Sequence, residues 1–220
     1  MERLNDVRRT YDLISRVYPG TREDGLLARE LLVRVGDLIR RVVPKIVLDI
    51  GAGAGGNLNL MREFLSGTLY IGCELSIGMI RASGLSIEWV NCSGTHVPLK
   101  DSSIDLVVSL ATLHHIPREL VGVLLGEVWR VLRVGGLFVV TVWGCTEYLV
   151  RRMRLIGDCE GYLPWSYGVS GRVERYYRLY RGDELAREVV GVGFEVINQG
   201  AIRVGRHYDN YYIVSTKMKL

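Results

Sequence analysis

The amino-acid sequence predicts an α/β fold: a doubly wound, mostly parallel sheet of seven strands with an antiparallel C-terminal hairpin. Short apolar runs alternate with helical patterns between residues 45 and 142, which is typical of parallel strands joined by crossover helices. A glycine-rich turn directly follows the first of these runs. Two further strand patterns close the chain without a helical pattern between them, and this predicts the hairpin at one edge of the sheet.

Each element is predicted from the spacing of its apolar residues. The segment LLARELLVRVGDLIRRV at 26–42 is an amphipathic helix, and a loop at 15–21 separates it from a shorter helix at the N-terminus. The predicted strands are 45–50, 68–73, 87–91, 104–109, 136–142, 194–202 and 210–217. The other predicted helices are 57–65, 77–82, 118–132 and 183–190.

The length of 220 residues suits a single domain, 1–220, with N-terminal helices at 1–43. The alternation of strands and helices stops at 144–182, which we interpret as an insert on the substrate side. No apolar run approaches the roughly 18 residues of a membrane span, and the N-terminus lacks an apolar signal core. We therefore expect a cytoplasmic protein.

Charge and cysteine content narrow the function classes only slightly. The net charge of +4 is too small to indicate nucleic-acid binding by itself. The sequence shows no CxxC pair and no histidine at zinc-finger spacing, so no metal site is expected. Reduced thiols in a cytosol are the prediction for the four cysteines, Cys73, Cys92, Cys145 and Cys159, and a structural disulfide is the alternative.

The segment VLDIGAGAGGN joins the first strand to its helix. Glycines let the chain turn sharply and let the backbone approach a ligand. Asp49 ends the strand, and Glu74 ends the next strand 19 residues after Gly55, where a carboxylate can accept both hydroxyls of a ribose. Counted from Gly51, Gly56 completes a GxGxxG spacing, so the turn alone is also compatible with an NAD site.

The turn, the two acids and the later segment EVWRVLRVGGLFVVTVW resemble the class I S-adenosylmethionine-dependent methyltransferases. The resemblance implies a Rossmann-like class I methyltransferase fold with S-adenosylmethionine as cofactor. The chain departs from the family at Ser93, where an acid often meets the adenine amino group, and at Val134, where proline is usual. By resemblance, the cofactor-binding residues are Tyr11, Asp49, Gly51, Ala52, Gly53, Gly55, Glu74, Leu75, Ser93, Gly94, Thr95 and Leu110.

Further segments along nearly the whole chain resemble a narrower family, the tRNA wobble-uridine carboxymethyl methyltransferases. They are YDLISRVYPGTRE at 11–23, VTVW at 140–143, LPW at 163–165, RYYRLYRGDEL at 175–185, GFEV at 193–196 and DNYYIV at 209–214. Members of that family esterify a carboxymethyl group on a wobble uridine of tRNA. The resemblance therefore implies a tRNA-modifying enzyme.

The implied acceptor sets the chemistry that the site must supply. A carboxylate has a pKa of roughly 4, so it is already ionised at neutral pH and needs no general base. It needs a cation to hold it, and Arg22 and Arg175 are the candidates, with an ordinary ion pair as the alternative for each. The resemblance places His114 or His115 beside the substrate, and the alternative is a pair of loop or helix-cap histidines.

Aromatic and basic residues in or next to the insert are candidates for RNA contacts. Three aromatic residues could stack on an extruded base or form the core of the insert: Trp143, Tyr176 and Tyr177. The segment 144–182 has a net charge of +3, and its arginines include Arg151 and Arg152. Such a cluster suits RNA phosphates, and it is equally compatible with an ordinary solvated surface.

The strand at 87–91 should lie at one edge of the sheet, and it carries the apolar residues Ile87, Trp89 and Val90. An apolar edge strand is usually covered or paired. The narrower family implies a cover, since its eukaryotic members work with a small zinc-binding activator protein. We expect such a partner to add a strand at this edge, and the alternative is that the chain's own loops cover Trp89.

Two other functions stay open at the level of the sequence. One is a small-molecule methyltransferase, which predicts an apolar pocket and no salt-dependent RNA binding. The other is a cofactor-binding scaffold without catalysis.

Overall fold

The architecture comes from a computed structural model that describes residues 2–19, 25–168, 171, 173–204 and 208–219. The helices are α1 (Glu2–Ile14), α2 (Leu26–Val42), α3 (Gly56–Phe64), α4 (Ile77–Ala82), α5 (Arg118–Val131), α6 (Glu147–Val150) and α7 (Glu184–Gly191). The strands are β1 (Ile46–Ile50), β2 (Leu69–Glu74), β3 (Glu88–Asn91), β4 (Ile104–Leu110), β5 (Leu132–Trp143), β6 (Arg154–Gly157), β7 (Glu160–Trp165), β8 (Val173–Arg178), β9 (Glu195–Val204) and β10 (Tyr208–Thr216).

Seven strands form the main sheet in the order β3-β2-β1-β4-β5-β10-β9. The first five strands of this order pair in parallel, and β10 is antiparallel to both of its neighbours. The predicted fold class is therefore confirmed, including the C-terminal hairpin. Strand order reverses between β1 and β4, and in open α/β sheets this switch point, at the carboxyl ends of the strands, is where ligands bind.

Apolar side chains on both faces of the sheet form the core. One face packs against α2 and α3, which contribute Ala28, Leu31, Val35, Leu58 and Met61. The opposite face packs against α5 and α7. The central strands β1 and β4 are buried on both faces, which explains why they consist mainly of apolar residues with no polar alternation along their length. Within the described residues, no helix is long and apolar enough to cross a membrane.

The segment predicted as an insert contains α6 and a separate antiparallel sheet with the order β6-β7-β8. Leu149, Leu163 and Tyr177 are buried within it and form a small core of their own. Helix α1 packs against β8, so the N-terminus and the insert lie together. The sequence predicted the interruption, but its mixed polar and aromatic composition gave no clear strand pattern.

Strand β3 lies at the edge of the main sheet, as predicted. The indole of Trp89 lies over Gly72 of the neighbouring strand, where an added Cβ would be 2.7 Å from the ring. Trp89 is therefore half-buried on its own sheet, and this favours the alternative in which the chain itself shields that side chain. The backbone edge of β3 has no neighbouring strand among the described residues.

The prediction of reduced thiols is wrong for this structure, since Cys73 is bonded to Cys92 and Cys145 to Cys159. The pairing of β2 with β3 places Cys73 beside Val90, two residues before Cys92, and the cysteine Cα atoms are 5.6 Å apart. The Cα atoms of Cys145 and Cys159 are 5.8 Å apart. Cys145 lies at the start of the insert and Cys159 lies near its middle. The paired cysteines are 19 and 14 residues apart along the chain, and such spacings do not by themselves predict disulfide bonds.

Candidate active site

A cavity of about 940 Å³ opens at the carboxyl ends of the parallel strands. The turn after β1, the end of β2 and the segments after β3 and β4 form one side of it. Helix α1 and the insert form the other side. The cavity lies at the switch point of the sheet, and its size is within the range of small-molecule and cofactor sites.

Three glycines of the turn have left-handed backbones, with φ of +76° at Gly51, +58° at Gly53 and +89° at Gly55. A Cβ added at Gly51 would be 2.2 Å from Thr112, and one at Gly55 would be 2.4 Å from Leu85. Glycine is therefore required at these two positions by both conformation and space. The resulting turn exposes backbone to the cavity, as a nucleotide-type ligand requires.

Glu74 lines the cavity with its carboxylate held by two backbone donors. Its Oε2 accepts from the Gly53 N–H at 2.8 Å, and its Oε1 accepts from the Ser76 N–H at 2.7 Å. Burial raises the pKa of Glu74, although these hydrogen bonds oppose the shift. Each oxygen keeps a further lone pair, so the carboxylate can still accept hydroxyl hydrogens from a ribose.

Asp49 is buried in β1, two residues before Gly51. Neither of its carboxylate oxygens has a hydrogen-bond partner among the described residues. Burial, and then the charge of Glu74, raise the pKa of Asp49 from 3.8 to about 8. Asp49 is not among the residues that line the cavity, although Ile50 and Gly51 are, and a cationic group that approached it would favour its ionised form. With Glu74, it fits a cofactor that carries an ammonium group and ribose hydroxyls.

Most of the other predicted cofactor residues lie on the same wall. Ala52, Leu75, Ser93, Gly94 and Leu110 line the cavity. Thr95 is not among the lining residues, and its hydroxyl contacts that of Ser93 at 2.7 Å. Thr95 therefore reaches the cavity only through Ser93.

His115 connects three parts of the chain. Its Nδ1 is 2.8 Å from the carbonyl oxygen of Tyr176, and its Nε2 is 2.8 Å from the hydroxyl of Tyr11 on α1. Because a carbonyl only accepts, Nδ1 carries the proton, and Nε2 accepts from the Tyr11 hydroxyl. Tyr11 and His115 both line the cavity.

His114 has a different environment. It is fully buried, its Nδ1 accepts from the Trp143 N–H at 3.1 Å, and its ring stacks with those of Trp143 and Tyr177. Of these three residues only Trp143 lines the cavity. The arrangement supports a packing role for His114, which holds the Trp143 indole at the cavity wall.

Arg175 of β8 lies at the cavity with only 8% of its surface exposed. Its guanidinium carbon is 4.5 Å from the ring centre of Trp165 and 5.2 Å from that of Tyr177. Its Nε and Nη1 have no hydrogen-bond partner within the part of the chain that the structure describes. Buried N–H donors of this kind are suited to an anion in the cavity. Arg22 lies outside the described residues.

The remaining predicted substrate residues do not line the cavity. The Tyr176 hydroxyl donates to Glu160 at 2.9 Å, and the Tyr176 and Tyr177 rings are buried. Arg151 is exposed and pairs with Glu147, and the exposed Arg152 lies 5.4 Å from the Tyr148 ring centre. The two tyrosines are therefore core aromatics of the insert, which was the alternative interpretation of their sequence pattern.

Several lining residues were not singled out from the sequence, among them Tyr18, Trp165 and Asn210. Trp165 follows the leucine and proline of the LPW segment, and Asn210 lies in the DNYYIV segment. Both segments resemble the narrower family, and this resemblance was the signal from which Trp165 and Asn210 could have been predicted as site residues.

Comparison with known proteins supports one family. A family model described as a methyltransferase domain matches residues 48–140. An Encephalitozoon cuniculi protein classed as a methyltransferase is 30% identical over 208 residues, which cover 88% of this chain and 89% of that protein. The chain belongs to the S-adenosylmethionine-dependent methyltransferases. S-adenosylmethionine is thus the cofactor of this methyltransferase, and the alternative of an NAD site falls away.

Other proteins similar to this methyltransferase differ in the acceptor or partner that is known for them. The Schizosaccharomyces pombe tRNA (carboxymethyluridine(34)-5-O)-methyltransferase is 25% identical over 193 residues, 77% of this chain and 80% of that protein. A Burkholderia thailandensis 1,6-didemethyltoxoflavin-N1-methyltransferase has the same fold, with a TM-score of 0.72, 18% identity and coverage of 99% and 90%. So does a candidate methyltransferase in complex with the Haloferax volcanii Trm112 activator, with a TM-score of 0.63, 15% identity and coverage of 95% and 98%.

The buried carboxyl of Asp49 should make stability depend on pH. Its pKa is about 8 in the folded state and 3.8 in the ordinary reference state, so the folded chain retains a proton that the unfolded chain releases between these values. Stability should therefore fall as pH rises through this window, by up to about 1.4 kcal/mol per pH unit. We expect Asp49→Asn to flatten this dependence in melting curves recorded from about pH 5 to pH 8.

The exposed Asp37 of α2 provides a matched control, since Asp37→Asn removes a carboxylate from a solvated surface. Its curve should stay parallel to that of the unsubstituted protein. If the Asp49→Asn curve were also parallel, Asp49 would be ionised throughout the window.

Proposed function

We propose that this methyltransferase esterifies the carboxymethyl group of a wobble uridine in tRNA. The observation that carries the proposal is Arg175, a buried guanidinium at the cavity with two nitrogens that have no partner among the described residues. The resemblance to the Schizosaccharomyces pombe enzyme supports the choice of acceptor. Arg22, in the same family-like segment as Tyr11, is proposed as a second cation for the acceptor.

The chemistry of ester formation agrees with what the site contains. S-adenosylmethionine supplies an electrophilic methyl group, and a carboxylate oxygen is the nucleophile. Since that carboxylate is ionised at neutral pH, the protein has to align it and need not remove a proton. The fork of Arg175 can grip both oxygens and fix their direction, while the Trp165 and Tyr177 rings fix the guanidinium.

The roles proposed for the remaining residues follow from their positions. Asp49 and Glu74 would bind the ammonium and ribose ends of the cofactor, and the backbone from Gly51 to Gly55 would lie against it. Ala52, Gly53, Leu75, Ser93, Gly94, Thr95, Leu110 and Tyr11 complete the proposed cofactor site.

Trp143 would stack on the extruded base, supported by Tyr177 and His114, while Tyr176 would orient His115. Arg151 and Arg152 would contact RNA phosphates from the outer face of the insert.

A small-molecule acceptor is the second candidate, and one observation favours it. Arginines of the insert pair with acids of the same chain, as in Arg154–Glu174, Arg178–Glu188 and Arg181–Asp158. The insert therefore presents less free positive charge than its composition suggests. A scaffold that binds the cofactor without turnover is a third outcome that the same assay can detect.

Methyl transfer to tRNA tests the proposal directly. Labelled S-adenosylmethionine and bulk tRNA from cells that lack this protein are incubated with the enzyme, and the nucleosides are resolved by mass. We expect a new methyl ester on a wobble uridine. Cofactor binding without label in any tRNA, with or without an activator protein, would contradict the tRNA proposal and favour a small-molecule acceptor or a scaffold.

Removal of the Arg175 guanidinium should impair acceptor use and leave the cofactor bound. Loss of a charge-assisted, two-pronged contact corresponds to about a 10- to 100-fold decrease in kcat/KM for Arg175→Gln. We expect Arg175→Lys to restore only part of the activity, since an ammonium cannot form the fork. Arg34→Gln, on the exposed face of α2, is the matched control. Equal losses in cofactor affinity and in kcat/KM would instead indicate a structural role for Arg175.

We also propose that the edge of β3 binds a small zinc-binding activator protein by strand addition. The fold shared with the methyltransferase in complex with Trm112 supports this, as does the backbone edge of β3. Co-expression with such an activator should yield a one-to-one complex with higher solubility and activity than the chain alone. A soluble and fully active monomer that does not bind the activator would refute this partner.

A further inference from the structure

Helix α1 contacts both walls of the cavity through two consecutive residues. Tyr11 reaches the substrate wall, where its hydroxyl contacts His115 at 2.8 Å. Asp12 reaches the cofactor wall, where it contacts residues at the start of α4. A single helix near the N-terminus thus connects the two halves of the site.

The contacts of Asp12 lead directly to Glu74. Asp12 Oδ1 accepts from the Ser76 hydroxyl at 2.6 Å and from the Gly78 N–H at 3.0 Å. The Ser76 N–H in turn donates to Glu74 Oε1 at 2.7 Å. Only Ser76, which is fully buried, therefore separates the α1 carboxylate from the carboxylate that lines the cofactor wall.

These contacts are not needed to cap α4. The Ser76 hydroxyl oxygen already accepts from the Met79 N–H at 3.1 Å and acts as the N-cap of that helix. The hydroxyl hydrogen remains, and it points to Asp12. Asp12 is also near Arg8, with Oδ2 at 3.7 Å, so its charge is partly balanced on the outer side of α1.

The approach of α1 to α4 depends on Gly78. A Cβ added there would be 2.8 Å from the Ser15 hydroxyl oxygen and 3.1 Å from Asp12 Oδ1. Ser15 is buried at this contact, so it has little room to move aside. An alanine would therefore push α1 away from the cofactor wall and leave the helix propensity of α4 intact or improved.

We propose that Asp12 is a positioning residue that fastens α1 to the cofactor wall and orients Glu74 through Ser76, so that cofactor release requires α1 to detach. The proposal rests on the ribose-binding role given to Glu74 above. It involves neither the acceptor nor the partner, so it can be tested with the cofactor product alone.

The test is the dissociation rate of S-adenosylhomocysteine from the full chain, measured by rapid mixing with excess S-adenosylmethionine as competitor. Loss of a hydrogen bond to a carboxylate corresponds to about a tenfold change, so we expect Asp12→Ala to release the product about tenfold faster. Asp12→Asn keeps one acceptor oxygen and should have a smaller effect. Gly78→Ala should also speed release, although it leaves every polar group in place.

Gly126→Ala in α5 is the matched control, because an added Cβ there has no atom within 4 Å. Its dissociation rate should be unchanged. Melting temperatures are recorded for every variant, since a purely structural role would lower them without changing the rate. Should Asp12→Ala fail to fold, Asp12→Asn and Gly78→Ala still decide the question.

Unchanged dissociation rates in Asp12→Ala and Gly78→Ala would overturn the proposal. Glu74→Gln separates its two parts. A smaller effect of Asp12→Ala on the dissociation rate in the Glu74→Gln background than in the unsubstituted protein supports the route from Asp12 to Glu74, and an equal effect overturns it. Neither result depends on methylation of tRNA, so failure here is distinguishable from failure of the proposed acceptor.

Discussion

Gly51 adopts a left-handed backbone where β1 turns into the cavity, and its neighbours leave no space for a side chain. The N–H groups of Gly51 and Ala52 both donate to the Cys73 carbonyl, at 2.8 and 3.3 Å, so the turn is fixed to the end of β2. The next residue of β2 is Glu74, which accepts from Gly53 of the same turn. The position of the acidic side chain and the shape of the turn therefore determine each other.

Buried acidic groups and a buried basic group lie on different sides of the cavity. Asp49 and Glu74 belong to the strand ends, while Arg175 belongs to the insert. Each of these buried groups favours a ligand group of the opposite charge, and for Asp49 such a group would also favour ionisation of a carboxyl whose pKa burial raises to about 8. A cofactor with an ammonium group and an acceptor with a carboxylate would be sorted to their own sides by electrostatics. The chemistry of the proposed reaction thus follows from where the chain buries charge.

The sequence was most informative for strands and turns whose conformation is determined by their own residues. The β1 turn was predictable because left-handed glycines and a strand-ending acid leave a local pattern, and the central strands were visible as apolar runs. The strands of the insert were not, because β6 is exposed along its length and β8 buries four consecutive residues that include Arg175 and Arg178. The cysteine pairs, Trp165 and Asn210 depend on contacts between distant segments, which spacing along the chain does not record.

The net charge of the insert, counted from the sequence, likewise does not show how much positive charge is available to bind RNA phosphates. The net +3 of the insert already counts Glu147 and Asp158, the partners of Arg151 and Arg181, and it is lowered further by Glu188 outside the insert, which pairs with Arg178. Each phosphate contact needs a cation that can exchange its counterions for the nucleic acid. Because exposed ion pairs are weak, Arg151 could exchange Glu147 for a phosphate, so a tRNA acceptor would combine such contacts with recognition in the buried cavity.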